Sequence, residues 1–346
     1  MKTAVVLFNL GGPDSPAAVR PFLFNLFNDP SIIGLPQPLR WLLARLISSR
    51  RDRLAQANYA RIGGRSPLLP NTQVQARALE RALADAGLDE ARCFIAMRYW
   101  HPLSDETVAE VAAWRPDRIV LLPLYPQFST TTTGSSLRVW RQAARAAGVD
   151  APTTLACCWP EADGFVGEVA SLVTPLLERA RAYGAPRVLF SAHGLPKKVI
   201  ARGDPYQWQV ERTAAAVAAR LGPGVDWRIC YQSRVGPLEW IGPATDDEVR
   251  RAGTDGVPVV VVPIAFVSEH VETLVELDIE YAELARHAGV PLWLRAPTVD
   301  ARPLFVAALV EAVRGALAVG GAVAGPGGAR SCPADRLACP CAWEAA

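Results

Sequence analysis

Strand-like segments in the first half of the chain have counterparts in the second half, in the same order. Residues 4–13 (AVVLFNLGGP) match 187–196 (RVLFSAHGLP), 93–102 (CFIAMRYWHP) match 228–237 (RICYQSRVGP), and 118–129 (RIVLLPLYPQFS) match 258–268 (PVVVVPIAFVS). Strands at 152–157 and 291–295 would complete two sheets, and helical patterns such as 75–87 and 209–222 lie between strands. Because β and α segments alternate, the sequence predicts an α/β protein of two similar domains with parallel sheets flanked by helices.

The chain of 346 residues is long enough for two domains of ordinary size. We expect them at 1–150 and 151–315, followed by a Gly/Ala-rich tether and a cysteine-rich tail over 316–346. The formal net charge is only +2, so nothing points to nucleic-acid binding. Met1-Lys2-Thr3 leads straight into a strand rather than a signal peptide, and no apolar run reaches the roughly 18 residues of a membrane span. We therefore expect a cytoplasmic protein, or one bound peripherally to the inner face of a membrane.

One apolar region does not fit a plain soluble surface. Residues 21–50, within a lip expected at about 13–53, carry many large apolar side chains among or beside Arg40, Arg45, Arg50, Arg51 and Arg53. Such a segment can seat a protein on a bilayer, or form the mouth of a pocket for a flat apolar ligand. An ordinary amphipathic helix packed on the core is the alternative.

The segment 259–284 (VVVVPIAFVSEHVETLVELDIEYAEL) joins a buried strand to an acidic helix. Glu269, Glu272, Glu276 and Glu280 recur at helical spacing, with His270 beside them. Like charges on one helix face cost about 0.2–0.5 kcal/mol per pair, and the rest of this helix is apolar. The stripe of acids therefore predicts a site that handles a metal cation.

A second candidate group stands at another strand end. His193 follows the buried strand within 187–196, where an imidazole can take or give protons near neutral pH. A histidine that only caps the strand is the alternative. Parallel strands bring their carboxyl ends to one edge of a sheet, so His193 can converge with His270 and Glu272 on one cleft.

Eight motifs, taken together, are similar to those of the ferrochelatase family. In chain order they are LFNLGGPDSP, YARIGGRSPL, MRYWHPLSDE, LPLYPQFSTTTTGSS, FSAHGLP, DPYQWQVERT, CYQSRVGPLEWIGP and PIAFVSEHVETLVELDIEY. The resemblance covers about residues 1–315. It implies two Rossmann-like domains with a porphyrin cleft between them, and insertion of Fe²⁺ into protoporphyrin IX.

The resemblance also assigns roles to individual residues. The family's essential histidine and carboxylate fall on His193 and Glu272, which we expect to form the site for the substrate Fe²⁺, with His193 as the proton acceptor. The opposite division of labour between the two is also chemically reasonable. Glu269, His270, Glu276 and Glu280 would relay protons or cations.

Five further positions match porphyrin-contacting places in the family. Arg98 could pair a propionate or an acidic side chain, and core packing is the alternative for each of the aromatic residues. The expected porphyrin-binding residues are Leu10, Arg98, Tyr99, Tyr125 and Trp240.

Seven cysteines in a chain without an export signal make disulfides unexpected. Cys332, Cys339 and Cys341 lie close together in the tail and need a fourth ligand to hold a [2Fe–2S] cluster or zinc. The resemblance favours [2Fe–2S], but Thr130 stands where animal ferrochelatases supply their non-tail ligand. We therefore expect Cys158, rather than its neighbour Cys157, to be the fourth ligand. Free tail thiols are the alternative.

Two other functions compete with protoporphyrin ferrochelatase. One is a related chelatase, acting on coproporphyrin or inserting another metal. The other is a non-catalytic haem or porphyrin carrier, which would not need both His193 and the acidic stripe. The glycine motifs are neither G-x-G-x-x-G nor a P-loop, which disfavours a nucleotide-dependent enzyme. The expected partners are protoporphyrin IX and Fe²⁺, with no nucleic acid, and a homodimer remains open.

Overall fold

Two parallel sheets form the framework of the protein, as the repeated strand pattern predicted. The computed structural model describes residues 1–234, 236 and 238–342. The first sheet has the order β2-β1-β3-β4-β9 and the second β6-β5-β7-β8, with every pair parallel. The strands are β1 Thr3–Asn9, β2 Ala91–Met97, β3 Arg118–Pro123, β4 Thr153–Ala156, β5 Arg187–His193, β6 Asp226–Gln232, β7 Val259–Pro263, β8 Trp293–Arg295 and β9 Val323–Ala324.

The first four strands of each half take the same order, which confirms the duplicated plan. The central strands β1, β5 and β7 are buried along their whole length or nearly so, as expected where helices cover both faces of a parallel sheet. The helices are α1 Val19–Phe27, α2 Gln37–Ala60, α3 Leu68–Asp85, α4 Ser104–Trp114, α5 Thr133–Ala146, α6 Asp163–Ala180, α7 Lys197–Ala201, α8 Tyr206–Leu221, α9 Thr245–Asp255, α10 Tyr281–Ala288 and α11 Pro303–Val319.

The end of the chain departs from the expected tether. Helix α11 continues to Val319 and packs against α3 and α6, and β9 then pairs with β4 through Leu155–Val323 and Ala156–Ala324. The free edge of β4 offers backbone groups that need partners. The tail supplies them, so the segment is an ordered edge strand. Residues 343–346 of the expected tail lie outside the described residues.

The acidic helix also differs from the expected form. Residues Glu272–Glu280 form a π-helix, which continues directly into α10. Such wide turns are rare and recur at functional sites. The spacing of four residues still keeps Glu272, Glu276 and Glu280 on one side of this helix, where all three line a cavity.

One buried amide ties the first domain to the loop in front of the π-helix. Gln75 on α3 donates from Nε2 to the carbonyls of Val267 and Asp300, both at 3.0 Å, and its Oε1 accepts from the Ser268 hydroxyl at 3.1 Å. The side chain is fully buried. Because a buried amide must be paired, these bonds hold the loop that carries His270 and Glu272 against the first domain.

The lip consists of α1 and α2. Several of its apolar side chains point to solvent, among them Leu39 (57% exposed), Leu42 (58%) and Leu46 (46%). The lip therefore does not bury all of its apolar surface against the core. Among the described helices, none has both the length and the apolarity that a membrane crossing needs.

Candidate active site

Two adjoining cavities open between the domains. The larger encloses about 960 Å³ and the smaller about 210 Å³. The larger volume is at the upper end of the range for small-molecule sites, about 300–1,000 Å³, and suits a flat macrocycle. The side chains that line both cavities are Leu10, Leu26, Leu68, His193, His270 and Glu272.

His193 and Glu272 meet at the junction of these cavities. Nδ1 of His193 lies 2.9 Å from Oε2 of Glu272, and the carboxylate is largely buried. His193 ends β5, whereas Glu272 begins the π-helix that follows β7, the neighbour of β5 in the sheet. The structure thus brings together the imidazole and the carboxylate that the sequence predicted to converge.

The contact shifts the pKa of both groups in opposite directions. Burial lowers the pKa of His193, but the charge and hydrogen bond of Glu272 outweigh it and raise that pKa above its ordinary 6.5. Burial raises the pKa of Glu272, but His193 brings it well below 4.5. The contribution of His193 to stability is lost as pH rises through its raised pKa, and that of Glu272 is lost as pH falls through its lowered pKa.

A serine that the sequence analysis missed links two of the acids. The hydroxyl of Ser233 lies 3.2 Å from Oε2 of Glu272 and 2.6 Å from Oε2 of Glu276. Burial and the neighbouring charge of Glu272 raise the pKa of Glu276 to about 7. Ser233 adopts a φ of 60°, a strained conformation that recurs at functional sites. Its position just after β6, next to the end of β5, is the signal that could have identified it.

His270 is buried beside the pair. Its Nε2 lies 3.9 Å from Oε1 of Glu272, and its ring centroid lies 4.4 Å from that of Phe266. Burial lowers the pKa of His270, so the imidazole is neutral near pH 7. Nδ1 has no hydrogen-bond partner among the described residues.

The other two acids of the stripe, Glu269 and Glu280, have different surroundings. Glu269 accepts from Arg295 at 2.9 Å and from the backbone of Thr298 at 3.0 Å, and it is not among the described residues that line either cavity. Glu280 lines the larger cavity and is half-exposed, with Arg61 3.5 Å away. Of the three acids in the predicted relay, Glu276 and Glu280 therefore face the cleft, whereas Glu269 does not line either cavity as described.

The five expected porphyrin-binding residues differ in which cavity they line. Leu10 lines both cavities, Tyr99 and Tyr125 line the smaller one, and Trp240 lines the larger one. Arg98 is absent from both linings as described, because its guanidinium binds an acidic side chain, which the sequence had left open as an alternative to a propionate.

That acid is Asp29, which follows α1 and was missed by the sequence analysis. Its fully buried carboxylate accepts from Arg98 and from Arg138, each at 2.7 Å, and from the Tyr99 hydroxyl at 2.9 Å. Burial raises the pKa of Asp29, but the charge of Arg98 and hydrogen bonds from Ser135, the Ser31 backbone and Tyr99 lower it below its usual range. The cluster anchors the end of α1, and therefore the lip, to the floor of the cleft.

Five cysteines gather where the tail meets β4. The sulfurs of Cys157, Cys339 and Cys341 lie within 4.8 Å of one another. Those of Cys158 and Cys332 share a donor, Nε2 of Gln209, at 3.2 and 3.1 Å. Both residues of the predicted 157–158 pair therefore reach the tail cysteines.

Thr130, the loop position from which the resemblance would draw a non-tail ligand, is hydrogen-bonded to an acid. The hydroxyl of Thr130 donates to buried Asp204 at 2.6 Å, and the Thr130 backbone N–H donates to the same oxygen at 2.7 Å. Thr130 thus engages the carboxylate of Asp204 rather than the tail cysteines.

Two similar α/β domains with a cleft between them form a chelatase-like fold. The structure of "SirB from Bacillus subtilis with Fe3+" matches with a TM-score of 0.51 over 91% of this chain and 95% of that one. At 13% sequence identity, this likeness speaks for the fold alone.

The sequence comparisons then give the family. The family model described as Ferrochelatase matches residues 2–317. Ferrochelatase of Phenylobacterium zucineum (strain HLK1) is 60% identical over 342 residues, 99% of this chain and 98% of that protein. Ferrochelatase of Caulobacter vibrioides (strain NA1000 / CB15N) is 59% identical over 343 residues, 98% and 97% of the two chains. The chain belongs to the ferrochelatase family, and its activity is therefore insertion of a metal into a porphyrin.

Proposed function

We propose that the chain inserts Fe²⁺ into protoporphyrin IX to form protohaem and releases two protons. The observation that carries this proposal is the His193–Glu272 pair at the junction of a cleft of about 960 Å³. Metal insertion needs a base for the pyrrole protons and an anionic group for the cation. This pair supplies both.

His193 is the proton acceptor in this proposal. Its Nδ1 is held by Glu272, which leaves Nε2 free of that contact, and the raised pKa makes the imidazole a stronger base than an isolated one. Glu272 stabilises the resulting imidazolium. The charge that develops on proton transfer is therefore neutralised where it forms.

Released protons leave along the acidic side of the π-helix. Ser233 bridges Glu272 and Glu276, and Glu276, with a pKa of about 7, can hold or release a proton at neutral pH. Glu280 follows at the exposed rim. The same oxygens can pass Fe²⁺ inwards, since carboxylates favour divalent cations.

The lining of the larger cavity favours protoporphyrin over coproporphyrin. Its charged side chains include three arginines and five acids, besides two histidines. Coproporphyrin carries four propionates and would favour a more basic cleft. Apolar side chains of the lip, including Phe22, Leu23 and Phe27, supply the surface that an apolar macrocycle needs. A carrier would need no base, which disfavours the non-catalytic alternative.

Removing either member of the pair should abolish most turnover. We expect His193→Ala and Glu272→Gln each to lower kcat for anaerobic Fe²⁺ insertion into protoporphyrin IX by about 10²–10⁴-fold. Porphyrin affinity, measured by fluorescence quenching, should stay within a few-fold of wild type. Glu283→Gln, an exposed acid on α10, is the matched control and should retain full activity. Equal loss of affinity and turnover would make the pair structural, and faster turnover of coproporphyrin by the wild type would reassign the substrate.

We further propose that Cys158, Cys332, Cys339 and Cys341 hold a [2Fe–2S] cluster. Four thiolates are the usual ligand set of such a cluster, and the buried amide of Gln209 offers hydrogen bonds to two of these sulfurs. Cys157 is the alternative, because its sulfur lies close to those of Cys339 and Cys341. The cluster would supply a one-electron redox centre and fasten the tail to the core.

Single serine substitutions distinguish Cys157 from Cys158 as the fourth ligand. Cys158→Ser should lose the visible [2Fe–2S] absorption, because a hydroxyl is a poor substitute for a thiolate ligand, whereas Cys157→Ser should keep it. Cys93→Ser, a cysteine of β2 outside the cluster, is the control. Retention in Cys158→Ser with loss in Cys157→Ser would move the assignment to Cys157. Stoichiometric zinc without iron or sulfide in the wild type would contradict the cluster.

The lip is proposed to seat the protein peripherally on the inner face of a membrane. Leu39, Leu42 and Leu46 lie at i, i+3 and i+7 on the exposed side of α2. We expect Leu39→Glu/Leu42→Glu to reduce sedimentation with vesicles that contain anionic lipid at least several-fold. Leu337→Glu, which changes a leucine of the tail that is more exposed than either, should sediment like wild type. Sedimentation of the double variant at the wild-type level would refute this role. The homodimer stays a prediction.

A further inference from the structure

Gln209 occupies an unusual place for a glutamine. Its side chain is fully buried on α8, and its Nε2 lies 3.2 Å from Sγ of Cys158 and 3.1 Å from Sγ of Cys332. Its Oε1 accepts from the backbone N–H of Phe128 at 2.7 Å. The amide therefore spans the gap between the cysteines and the wall of the cleft.

The contact with Phe128 fixes which way the amide faces. A backbone N–H can only donate, so the oxygen must be the atom that meets it, and the nitrogen with its two hydrogens must face the sulfurs. Neutral thiols are weak acceptors. A buried amide whose two N–H groups both end on sulfur is better satisfied when those sulfurs carry negative charge, as metal-bound thiolates do.

We propose that Gln209 is a positioning residue that donates two hydrogen bonds to ligand sulfurs of the iron–sulfur cluster and thereby raises its reduction potential. This inference rests on the cluster proposed above. Hydrogen bonds to ligand sulfurs withdraw charge from the cluster and stabilise the reduced form, which carries one more negative charge. Loss of the amide would therefore lower the reduction potential and favour the oxidised form more than in the wild type.

The same residue connects the cluster to the cleft. Phe128 belongs to the loop whose residues Gln127, Ser129, Thr131 and Thr132 line the smaller cavity. A second tie runs in parallel, because Asp204 accepts from Ser129 at 3.0 Å while the carbonyl of the preceding Gly203 accepts from the tail at Ala338, 3.2 Å away. The cysteines that would hold the cluster thus lie behind the wall of the substrate cleft, and Gln209 contacts two of these cysteines as well as the loop of Phe128.

The test compares cluster potentials in the full-length protein. Wild type, Gln209→Met and Thr213→Val are purified anaerobically and titrated while the [2Fe–2S] absorption and the EPR signal of the reduced form are recorded. Methionine keeps the length of the side chain but has no N–H. At the wild-type midpoint, we expect the ratio of reduced to oxidised cluster in Gln209→Met to fall about tenfold, equivalent to about 59 mV for a one-electron couple.

Thr213→Val is the matched control. Thr213 is buried one turn further along α8, and its hydroxyl accepts from Gln127 rather than contacting a sulfur. The reduction potential of the cluster in Thr213→Val should therefore equal that of wild type. An unchanged reduction potential in Gln209→Met, with the cluster present in this variant and in wild type, would overturn the role of Gln209 but not the cluster proposal. A wild type without any [2Fe–2S] signal would overturn the cluster as well.

A second measurement covers the case in which Gln209→Met loses its cluster. Wild-type protein with ¹⁵N in its glutamine side-chain amides is reduced and studied by pulsed EPR. We expect a ¹⁵N hyperfine coupling to the cluster, because the amide nitrogen lies next to two ligand sulfurs. A reduced cluster without this coupling would overturn the proposal.

Discussion

The hydrogen-bonded contact between His193 and Glu272 is the interaction on which the site depends. A largely buried carboxylate needs a positive or hydrogen-bonding partner, or it would be protonated. The imidazole at the end of β5 supplies it at 2.9 Å, and the two pKa values move apart as a result. One interaction therefore creates both a stronger base and a permanent anion beside the cleft.

Holding that contact in place requires both domains and the π-helix. Strand β5 sets the position of His193, and the loop after β7 sets that of Glu272, but the loop is itself fixed by Gln75 of the first domain. Buried Asp29 likewise fixes the lip through Arg98 and Arg138. The cleft is thus bounded by two hydrogen-bonded anchors, each of which joins segments far apart in the sequence.

Much of the fold could be predicted from the sequence, because hydrophobic runs and their order are local signals. The duplicated strand order, His193 at a strand end and a helix that carries a stripe of acids all follow from such patterns, although Glu269 of the four predicted acids does not line a cavity as described. The type of that helix did not follow, because π-turns depend on packing around the site. Nor did β9, a two-residue strand inside a Gly/Ala-rich stretch, which forms only because β4 presents a free edge.

The predicted site residues that do not line the cavities as described share one physical cause. Glu269 has the same spacing as its neighbours but is paired with Arg295, and Arg98 is paired with Asp29 rather than placed in the lining of the cleft. Their partners, Arg295 and Asp29, lie far from them in the sequence, and neither belongs to a motif that the sequence analysis singled out. Gln75 and Gln209 were missed for the same reason, since a polar side chain within a helix shows its role only when its hydrogen-bond partners are known. Ser233 differs, because its position just after β6 is a signal that the sequence does carry.

Titration of His193 measures how strongly Glu272 acts on the imidazole. Its ring resonances would be followed by NMR across the pH range in wild type, in Glu272→Gln and in Glu283→Gln. We expect a pKa of His193 above 6.5 in the wild type and a lower one in Glu272→Gln, where burial remains but the counter-charge is gone. Glu283→Gln should leave this pKa unchanged. The same pKa for His193 in wild type and in Glu272→Gln would contradict the effect of Glu272 on the imidazole.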